Sequence, residues 1–280
     1  MRPLRLIDLH FGGAPNAIGV YLVDTDDGLA LFDCGPSSTV GALLAGLASH
    51  GAELGDVRHL LLSHVHLDHA GAAGTLVRRH PELTVWVGSV GRPHVVGPAR
   101  LEASARRLYG DTFDTLWGEL VPVPEENVRV ADGDVLGWEA FPTPGHATHH
   151  VSYLRDGTLL AGDAAGVRMP GASYVLPVSP PPDLSVDDWH ATVAEIRARR
   201  PQRLALVHFG VHEDVEPHLD RLELELDRWV ARVGAGMDRD EFVAAAREDA
   251  GGDAVLYDRV APFWQSWAGL RRYWDKKRGA

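Results

Sequence analysis

The sequence predicts an α+β fold in which two β-sheets pack face to face and helices cover both outer surfaces, a four-layer αββα sandwich with a helical C-terminal extension. Three observations lead to this prediction. Short apolar runs recur along the chain, turn residues separate them, and the phrase DGLALFD at 27–33 resembles DGTLLAGD at 156–163. A helix and an apolar strand are expected after each phrase, so we interpret the chain as two strand-rich units in tandem.

Turn residues and apolar spacing define the elements of the first half. The triplet Asp26-Asp27-Gly28 predicts a hairpin. Three consecutive leucines at 60–62 suggest a strand that is covered on both faces. The predicted elements are, in order, strands at 4–9, 19–23 and 29–33, a helix after Ser38 that stops at Gly51, a strand at 57–64 and a helix from Ala70 to His80.

The second half repeats this order with two additional segments. Residues 98–118 have a helical pattern and are expected to overhang a pocket, and the proline-rich residues 166–183 predict an ordered loop or lid. After residue 210 the pattern is helical to the end. The predicted elements are strands at 84–88, 127–131, 135–141, 150–154 and 158–162, a helix at 186–200 and a strand at 203–208.

Composition restricts the location and partners of the protein. A chain of 280 residues that is 45% hydrophobic can form a full core, which we divide into a domain at 1–210 and a packed helical extension at 211–280. The net charge of −12 argues against binding of nucleic acid, which requires a basic face on the protein. A single cysteine, Cys34, and the lack of a signal-peptide pattern or an apolar run of about 20 residues predict a cytoplasmic protein with no membrane contact. We expect a small-molecule substrate and leave a homodimer open.

The most informative stretch is SHVHLDHAG at 63–71, where four potential metal ligands fall within six residues after a predicted strand. Side chains alternate in an extended segment, so His64 and His66 face the same side and can share one ion. Asp68 and His69 are adjacent, and both can reach a site only where the chain turns into a helix. This turn offers ligands to a second ion.

Two ions need further ligands, since zinc takes three or four protein ligands. Three later positions supply them: His146 in TPGH, Asp163 in AGD and His208 in VHFG. Each lies at the end of a predicted strand or in the turn after it, where side chains from different strands can converge.

With these residues the sequence resembles the metallo-β-lactamase-fold superfamily, whose His-x-His-x-Asp-His run, TPGH turn, GD pair and late histidine occur here in the same order. The resemblance covers about residues 4–210, and LFDCG at 31–35 is similar to the family's Asp-x-Gly element. It implies that His64, His66 and His146 bind one metal and Asp68, His69 and His208 the other, with Asp163 bridging both and Asp33 orienting the ligands.

The resemblance further implies a dinuclear hydrolase that uses a metal-bridging hydroxide. Zinc is the first expectation, although five imidazoles and two carboxylates also suit iron or manganese. One ion would polarise the substrate oxygen and the other would stabilise the leaving group. Because Asp68 would also accept a proton as the intermediate breaks down, Asp68 and Asp163 are the residues with a predicted catalytic role.

Several other residues admit two interpretations. Cys34 is expected to be buried beside Asp33 rather than to bind metal. Tyr174 is either an oxyanion donor or a packed side chain. His149 and His150 either reach the site or only pack. The basic residues near the C-terminus, at 271–278, either bind an anionic substrate tail or solvate the end of a helix.

The family includes thioesterases, lactonases, β-lactamases, phosphodiesterases, nucleases, dioxygenases and diiron oxidoreductases, so the fold does not select the reaction. Asp163 argues against antibiotic hydrolysis, since true β-lactamases generally lack a bridging aspartate. His66 argues against the diiron oxidoreductases, which usually have glutamate there. We therefore expect cleavage of a small-molecule ester, thioester or lactone, similar to glyoxalase II-type enzymes and lactonases. A phosphodiesterase, a mononuclear iron dioxygenase and a non-catalytic binding module stay open as alternatives.

Overall fold

The computed structural model describes residues 4–279. These residues divide into two compact units, one of residues 4–142 and 149–156 and the other of residues 143–148 and 157–279. The predicted domain boundary at residue 210 is a different division and stays a prediction. The predicted lack of a signal peptide rests in part on residues 1–3, which lie outside the described residues.

The first unit contains nine strands and six α-helices among its described residues. The strands are β1 Arg5–Asp8, β2 Gly19–Thr25, β3 Gly28–Phe32, β4 Val57–Leu61, β5 Thr84–Val87, β6 Val128–Val130, β7 Gly133–Val135, β8 Trp138–Pro142 and β9 Val151–Arg155. The helices are α1 Val40–Ser49, α2 Leu67–Ala70, α3 Ala73–Arg79, α4 Arg92–Val96, α5 Ala99–Tyr109 and α6 Phe113–Trp117.

Strands β1 to β6 lie in sequence order in one mixed sheet. The first three are antiparallel, and β3 to β6 are parallel, with helices in their connections. The predicted hairpin is present, since Thr25 pairs with Gly28. Strand β4 is buried on both faces apart from Arg58, as its leucine run predicts. The segment of candidate ligands therefore follows directly after a buried strand of this sheet.

Two predicted elements of the first unit are wrong in detail. The strand expected at 135–141 is the antiparallel hairpin of β7 and β8, because Leu136 and Gly137 both have positive φ, the geometry of a two-residue hairpin turn. The helix expected from Ala70 begins earlier, at Leu67, and is interrupted after Ala70. At the interruption the amide of Ala72 donates to the carbonyl of Gly35 at 2.8 Å instead of continuing the α2 helix.

The second unit has three strands and five α-helices among its described residues. They are β10 Thr158–Leu160, α7 Val186–Arg199, β11 Arg203–Leu206, β12 Gly210–His212, α8 Val215–Gly234, α9 Arg239–Ala250, α10 Ala254–Val260 and α11 Phe263–Gly279. Strands β10 and β11 are parallel, and β12, which the sequence did not predict, is antiparallel to β11. Residues 166–183 form a loop, as predicted, with one isolated bridge between Val167 and Leu176.

The C-terminal helices pack around one apolar face of α8. Leu219, Leu222 and Leu226 recur at helical spacing and are buried. The Trp229 ring lies edge-on to the rings of Phe242 and Phe263, with centroids 5.1 and 6.1 Å away. Among residues 4–279, the helices lack the combination of length and apolar character that crossing a membrane requires.

Candidate functional site

In the first unit, His64 and His66 lie in the irregular segment that follows β4. Their side chains point to the same side, as the alternation of an extended chain predicts, and His64 Nε2 lies 2.9 Å from His66 Nδ1. His64 is fully buried. Two ring nitrogens this close share either a proton or a cation.

Asp68 and His69 lie on the first turn of α2 rather than before it. Asp68 Oδ2 is 3.7 Å from His69 Nε2, and the Asp68 side chain is 24% exposed whereas that of His69 is fully buried. Ligand atoms of His64 and His69 lie within 4.8 Å of one another. The first unit therefore brings its four predicted ligands together.

The buried side chain of Asp33 orients this group of ligands. Asp33 Oδ2 accepts a hydrogen bond from His69 Nδ1 at 2.8 Å and from the Ser63 hydroxyl at 2.7 Å, while Oδ1 accepts from the Ser63 amide at 2.7 Å. The Ser63 hydroxyl also lies 2.9 Å from His64 Nδ1. With its Nδ1 proton held by a carboxylate, His69 has Nε2 as the nitrogen that can bind a metal. The sequence did not suggest the role of Ser63, although Ser63 directly precedes His64.

Two further histidines contact the same ligands. The His150 ring centroid is 4.9 Å from that of His64, and the His149 ring lies parallel to His64 at 5.9 Å and edge-on to His66 at 5.5 Å. Both are buried. Of the two interpretations of this pair, the structure favours the one in which they reach the ligands.

Cys34 is buried and faces backbone. Its Sγ donates to the His69 carbonyl at 3.2 Å, and burial, with the Asp33 charge adding to it, raises the pKa of the thiol well above its usual value. A protonated, enclosed thiol is a poor nucleophile and a poor ligand.

In the second unit, His146, Asp163 and His208 lie on three separate turns and are all nearly fully buried. His146 Nε2 is 3.4 Å from Asp163 Oδ2, and His208 Nε2 is 3.6 Å from Asp163 Oδ1. Asp163 thus presents one oxygen to each imidazole. The second unit brings its three predicted ligands together around this carboxylate.

Backbone and packing hold His146 in this position. Its Nδ1 donates to the carbonyl of Val178 at 2.7 Å, and its ring lies edge-on to Trp189 with centroids 6.0 Å apart. The preceding Gly145 has φ +134°, and a Cβ there would lie 2.4 Å from Cα and Cβ of Trp189. No sequence pattern pointed to Val178 or Trp189, since both act through contacts between residues that are distant in the chain.

Tyr174 and His218 are two further polar residues of the second unit that pack inside it. The Tyr174 ring lies 5.1 Å from that of Tyr257, and burial raises the pKa of its phenol with added effect from Glu225 and Asp249. Tyr174 is therefore a packed side chain. His218 donates from Nε2 to the Ala165 carbonyl at 2.7 Å, and burial lowers its pKa to about 4.

The basic residues at the C-terminal end also contact acceptors within the second unit. Lys277 Nζ lies 3.1 Å from Asp187, Lys276 donates to the Pro182 carbonyl, and Arg278 donates to the Gly234 carbonyl. These contacts favour stabilisation of the helix end over capture of a substrate tail.

The two groups of side chains fit divalent metal ions by the chemistry of their donors. Imidazole and carboxylate together suit zinc, iron and manganese. In each unit one histidine uses Nδ1 to donate to a fixed oxygen, that of Asp33 or of Val178, which is how proteins orient a metal-binding imidazole.

Comparison with known proteins shows which family model and which relatives match this chain. The model of the metallo-beta-lactamase superfamily matches residues 14–212. A metallo-beta-lactamase fold-containing protein, ST1585 of Sulfurisphaera tokodaii, is 28% identical over 206 residues, which cover 68% of this chain and 76% of the relative. Hydroxyacylglutathione hydrolase of Vibrio cholerae is 29% identical over 150 residues, 51% of this chain and 45% of that enzyme.

Solved structures agree in fold. The crystal structure of the archaeal superfamily protein ST1585 from Sulfolobus tokodaii matches with a TM-score of 0.69 at 23% identity and covers 97% of this chain and 99% of that one. TTHA1623, solved in a di-iron-bound form, matches with a TM-score of 0.55 at 24% identity over 75% of this chain and 93% of that one. The predicted α+β sandwich of the metallo-β-lactamase type, with a helical C-terminal region, is confirmed.

Proposed function

We propose, from the premise that this chain belongs to the metallo-beta-lactamase superfamily, that it is a metal-dependent hydrolase of a small-molecule ester, thioester or lactone. The observation that carries the proposal is the His69 imidazole, whose Nδ1 is held by the buried Asp33 carboxylate while its Nε2 faces Asp68. A carboxylate behind a histidine is a regular feature of metal-binding sites. The relative named hydroxyacylglutathione hydrolase favours an acyl compound as substrate.

We assign the ligands of two ions to the residues of both units. His64, His66 and His146 would hold one ion, Asp68, His69 and His208 the other, and Asp163 would contact both. The support is that Asp163 already presents one oxygen to His146 and the other to His208, as a bridging carboxylate does. When bound, the ions would supply a Lewis acid and lower the pKa of coordinated water toward about 7.

The side chains would divide the remaining work. Asp68 is the one partly exposed member among the carboxylates near the ligands, so it can exchange a proton with a departing group. Asp33 and Val178 keep their histidines in the required tautomer because each accepts the Nδ1 proton. The roles of acceptor and of orienting group thus fall on different residues.

Zinc is the metal that we propose first. The donor set suits iron and manganese as well, and the di-iron-bound TTHA1623 keeps iron as the second candidate. Elemental analysis of the purified protein, grown in turn with each metal, distinguishes these. One iron per chain together with oxygen uptake would favour the dioxygenase alternative instead.

The test is turnover of a panel of thioesters, lactones, aryl esters and bis-phosphodiesters by the zinc-loaded protein and by Asp68→Ala. We expect the substitution to lower kcat by about 10²- to 10⁴-fold because a proton acceptor and a ligand are lost. Asp132→Ala, which removes an exposed carboxylate of the same unit, is the matched control. Equal turnover in Asp68→Ala and the control would overturn the proposal, and turnover confined to the phosphodiesters would favour the second reaction class.

The remaining predictions stay predictions. They are a cytoplasmic location and a small-molecule substrate in place of nucleic acid or membrane, while a homodimer stays open. Sedimentation of the purified chain tests the last of these.

A further inference from the structure

The turn that carries His208 is held by one residue of the loop at 166–183. The amide of Arg168 donates to the His208 carbonyl at 2.7 Å, and the amide of Phe209 donates to the Arg168 carbonyl at 3.2 Å. His212 closes the turn, because its Nε2 lies 3.1 Å from the Phe209 carbonyl oxygen. The position of residue 168 therefore places the main chain that carries this candidate ligand.

The Arg168 side chain connects that position to helix α8. Its Nη1 lies 2.7 Å from Oδ1 of Asp214, the residue before α8, and its Nε donates to the Ala172 carbonyl at 2.8 Å. Arg221 of the helix binds the other oxygen of Asp214 at 3.0 Å. Burial by itself would raise the pKa of Asp214, but the hydrogen bonds from Arg168 and Arg221 outweigh it and lower the pKa to about 2. Asp214 is therefore a carboxylate at neutral pH.

The loop depends on this contact because it has little regular structure of its own. Its strand pairing consists of the single bridge between Val167 and Leu176, whereas α8 is 20 residues long and buries a continuous apolar face. A guanidinium has several donors in one fixed plane, so Arg168 can bind a loop carbonyl and the carboxylate beside α8 at the same time. The ion pair thus fixes the loop, and with it the His208 turn, relative to the helix.

His218 makes the corresponding contact to the turn that carries Asp163. It is fully buried in α8, and its amide donates to the Asp214 carbonyl at 2.9 Å, one helical turn away. Its Nε2 donates to the carbonyl of Ala165, two residues after Asp163, and its Nδ1 lies 3.4 Å from Arg168 Nη1. Burial keeps the imidazole neutral, so one nitrogen donates and the other accepts. The first turn of α8 therefore contacts the supports of both ligand turns.

We propose that Arg168 and His218 are positioning residues that set the orientation of His208 toward Asp163. The inference rests on the proposed function and adds two residues that act through the main chain of the ligand turns. His208 Nε2 lies 3.6 Å from Asp163 Oδ1 and both side chains are nearly fully buried, so a shift of either turn changes this separation. Outer contacts of metal ligands are worth about 10- to 100-fold in affinity. Because Arg168 acts one step further out, we expect a loss of about tenfold.

The experiment measures zinc affinity of the full chain at neutral pH by competition with a chromophoric chelator. Arg168→Gln should weaken binding by about tenfold. Arg168→Lys should recover part of the loss, since one ammonium keeps the charge near Asp214 but cannot also serve the Ala172 carbonyl. Arg197→Gln is the matched control, because Arg197 joins α7 to α8 through Asp220 at 2.7 Å, and its affinity should equal that of wild type. Equal affinity in Arg168→Gln and the control would overturn the role of Arg168.

A second pair of variants separates positioning from stability. His218→Phe fills the space of the ring but leaves the Ala165 carbonyl unpaired, whereas His218→Gln still offers an amide donor to it. Zinc affinity should fall in His218→Phe and recover in part in His218→Gln. Urea denaturation of the metal-free variants gives their free energies of unfolding. A loss of stability with unaltered zinc affinity would show a purely structural role and overturn the inference. Should Arg168→Gln or His218→Phe fail to fold, Arg168→Lys and His218→Gln decide by the same comparison with wild type.

A measurement without metal separates this inference from the proposed function. The probe is the imidazole Hε1 resonance of His208 in NMR spectra of metal-free protein, assigned by its loss in His208→Gln. Arg168→Gln and His218→Phe should shift or broaden it, and Arg197→Gln should not. Such changes in a protein that binds no metal and turns over no panel substrate would overturn the proposed function and keep the positioning of His208. An unaltered resonance in both variants would overturn the positioning, whatever the turnover.

Discussion

The two groups of candidate ligands are built in opposite ways. In the first unit, four of them fall within the six residues from His64 to His69, at the end of one strand and the start of one helix. In the second unit, His146, Asp163 and His208 come from turns that lie far apart in the chain. The second group buries both of its imidazoles, whereas the first buries His64 and His69 and leaves His66 half-buried. Each group nevertheless places a carboxylate next to an imidazole.

The comparison shows two ways to orient a histidine. His69 is oriented by a side chain, the Asp33 carboxylate, whereas His146 is oriented by a backbone carbonyl, that of Val178. A side-chain acceptor can be removed by one substitution. A backbone acceptor depends on the packing that holds its loop. We therefore expect substitutions that change packing to disturb His146, in the second group of ligands, and substitutions that remove a charge to disturb His69, in the first.

The largest effect is expected from Gly145→Ala in the second unit. The added Cβ would meet Trp189 backbone and side chain at 2.4 Å at a φ of +134°, so α7 must shift. Strain and overpacking together should lower the free energy of unfolding by roughly 2–5 kcal/mol, measured by urea denaturation. Gly171→Ala is the control, since φ is +78° but nothing lies within 4 Å, and it should cost about 1–2 kcal/mol. Equal losses in the two variants would show that packing against Trp189 does not hold this turn.

An intermediate effect is expected from Asp33→Asn in the first unit. Asparagine tolerates the positive φ of +57° at this position, but its amide nitrogen donates where Asp33 Oδ2 accepts. His69 must then move its proton to Nε2, the atom that faces Asp68, and zinc affinity should fall by about 10- to 100-fold. Competition with a chromophoric chelator measures the change. Asp132→Asn should leave the affinity unaltered, and an unaltered affinity in Asp33→Asn would remove the distinction between the two groups.

The smallest effect is expected from Cys34→Ala. The thiol contacts the carbonyls of His69 and Gly35 and is kept protonated by burial, so its removal should leave turnover unchanged and cost about 1 kcal/mol of stability. A thiol reagent should label Cys34 only in unfolded protein. Rapid labelling of the native chain would mean that the first unit is more open than its ligand group suggests.

Local spacing was enough to predict the first group and much of the fold. An extended chain places alternate side chains on one side, and this predicts the approach of His64 and His66 without knowledge of the rest. The leucine run of β4 and the hairpin at Gly28 follow from equally short patterns. These features are predictable because neighbours within a few residues determine them.

The two errors have different causes, one a contact from elsewhere in the chain and the other an uncommon turn conformation. The helix expected from Ala70 is interrupted because the amide of Ala72 donates to Gly35, a residue distant in the sequence. The hairpin at Leu136 and Gly137 requires two successive positive φ values, and leucine gives little sign of that. Short patterns contain no information on either.

The sequence by itself determined the fold class, the family resemblance and the types of residue offered to a metal. Only the tertiary structure decided which atom of each imidazole is held and by what. Asp33 lies 36 residues from His69, and Val178 lies 32 residues from His146. The type of residue determines which ligand atoms it offers to a metal, whereas the orientation of an imidazole ring is set by whichever acceptor the packed chain brings to its other nitrogen.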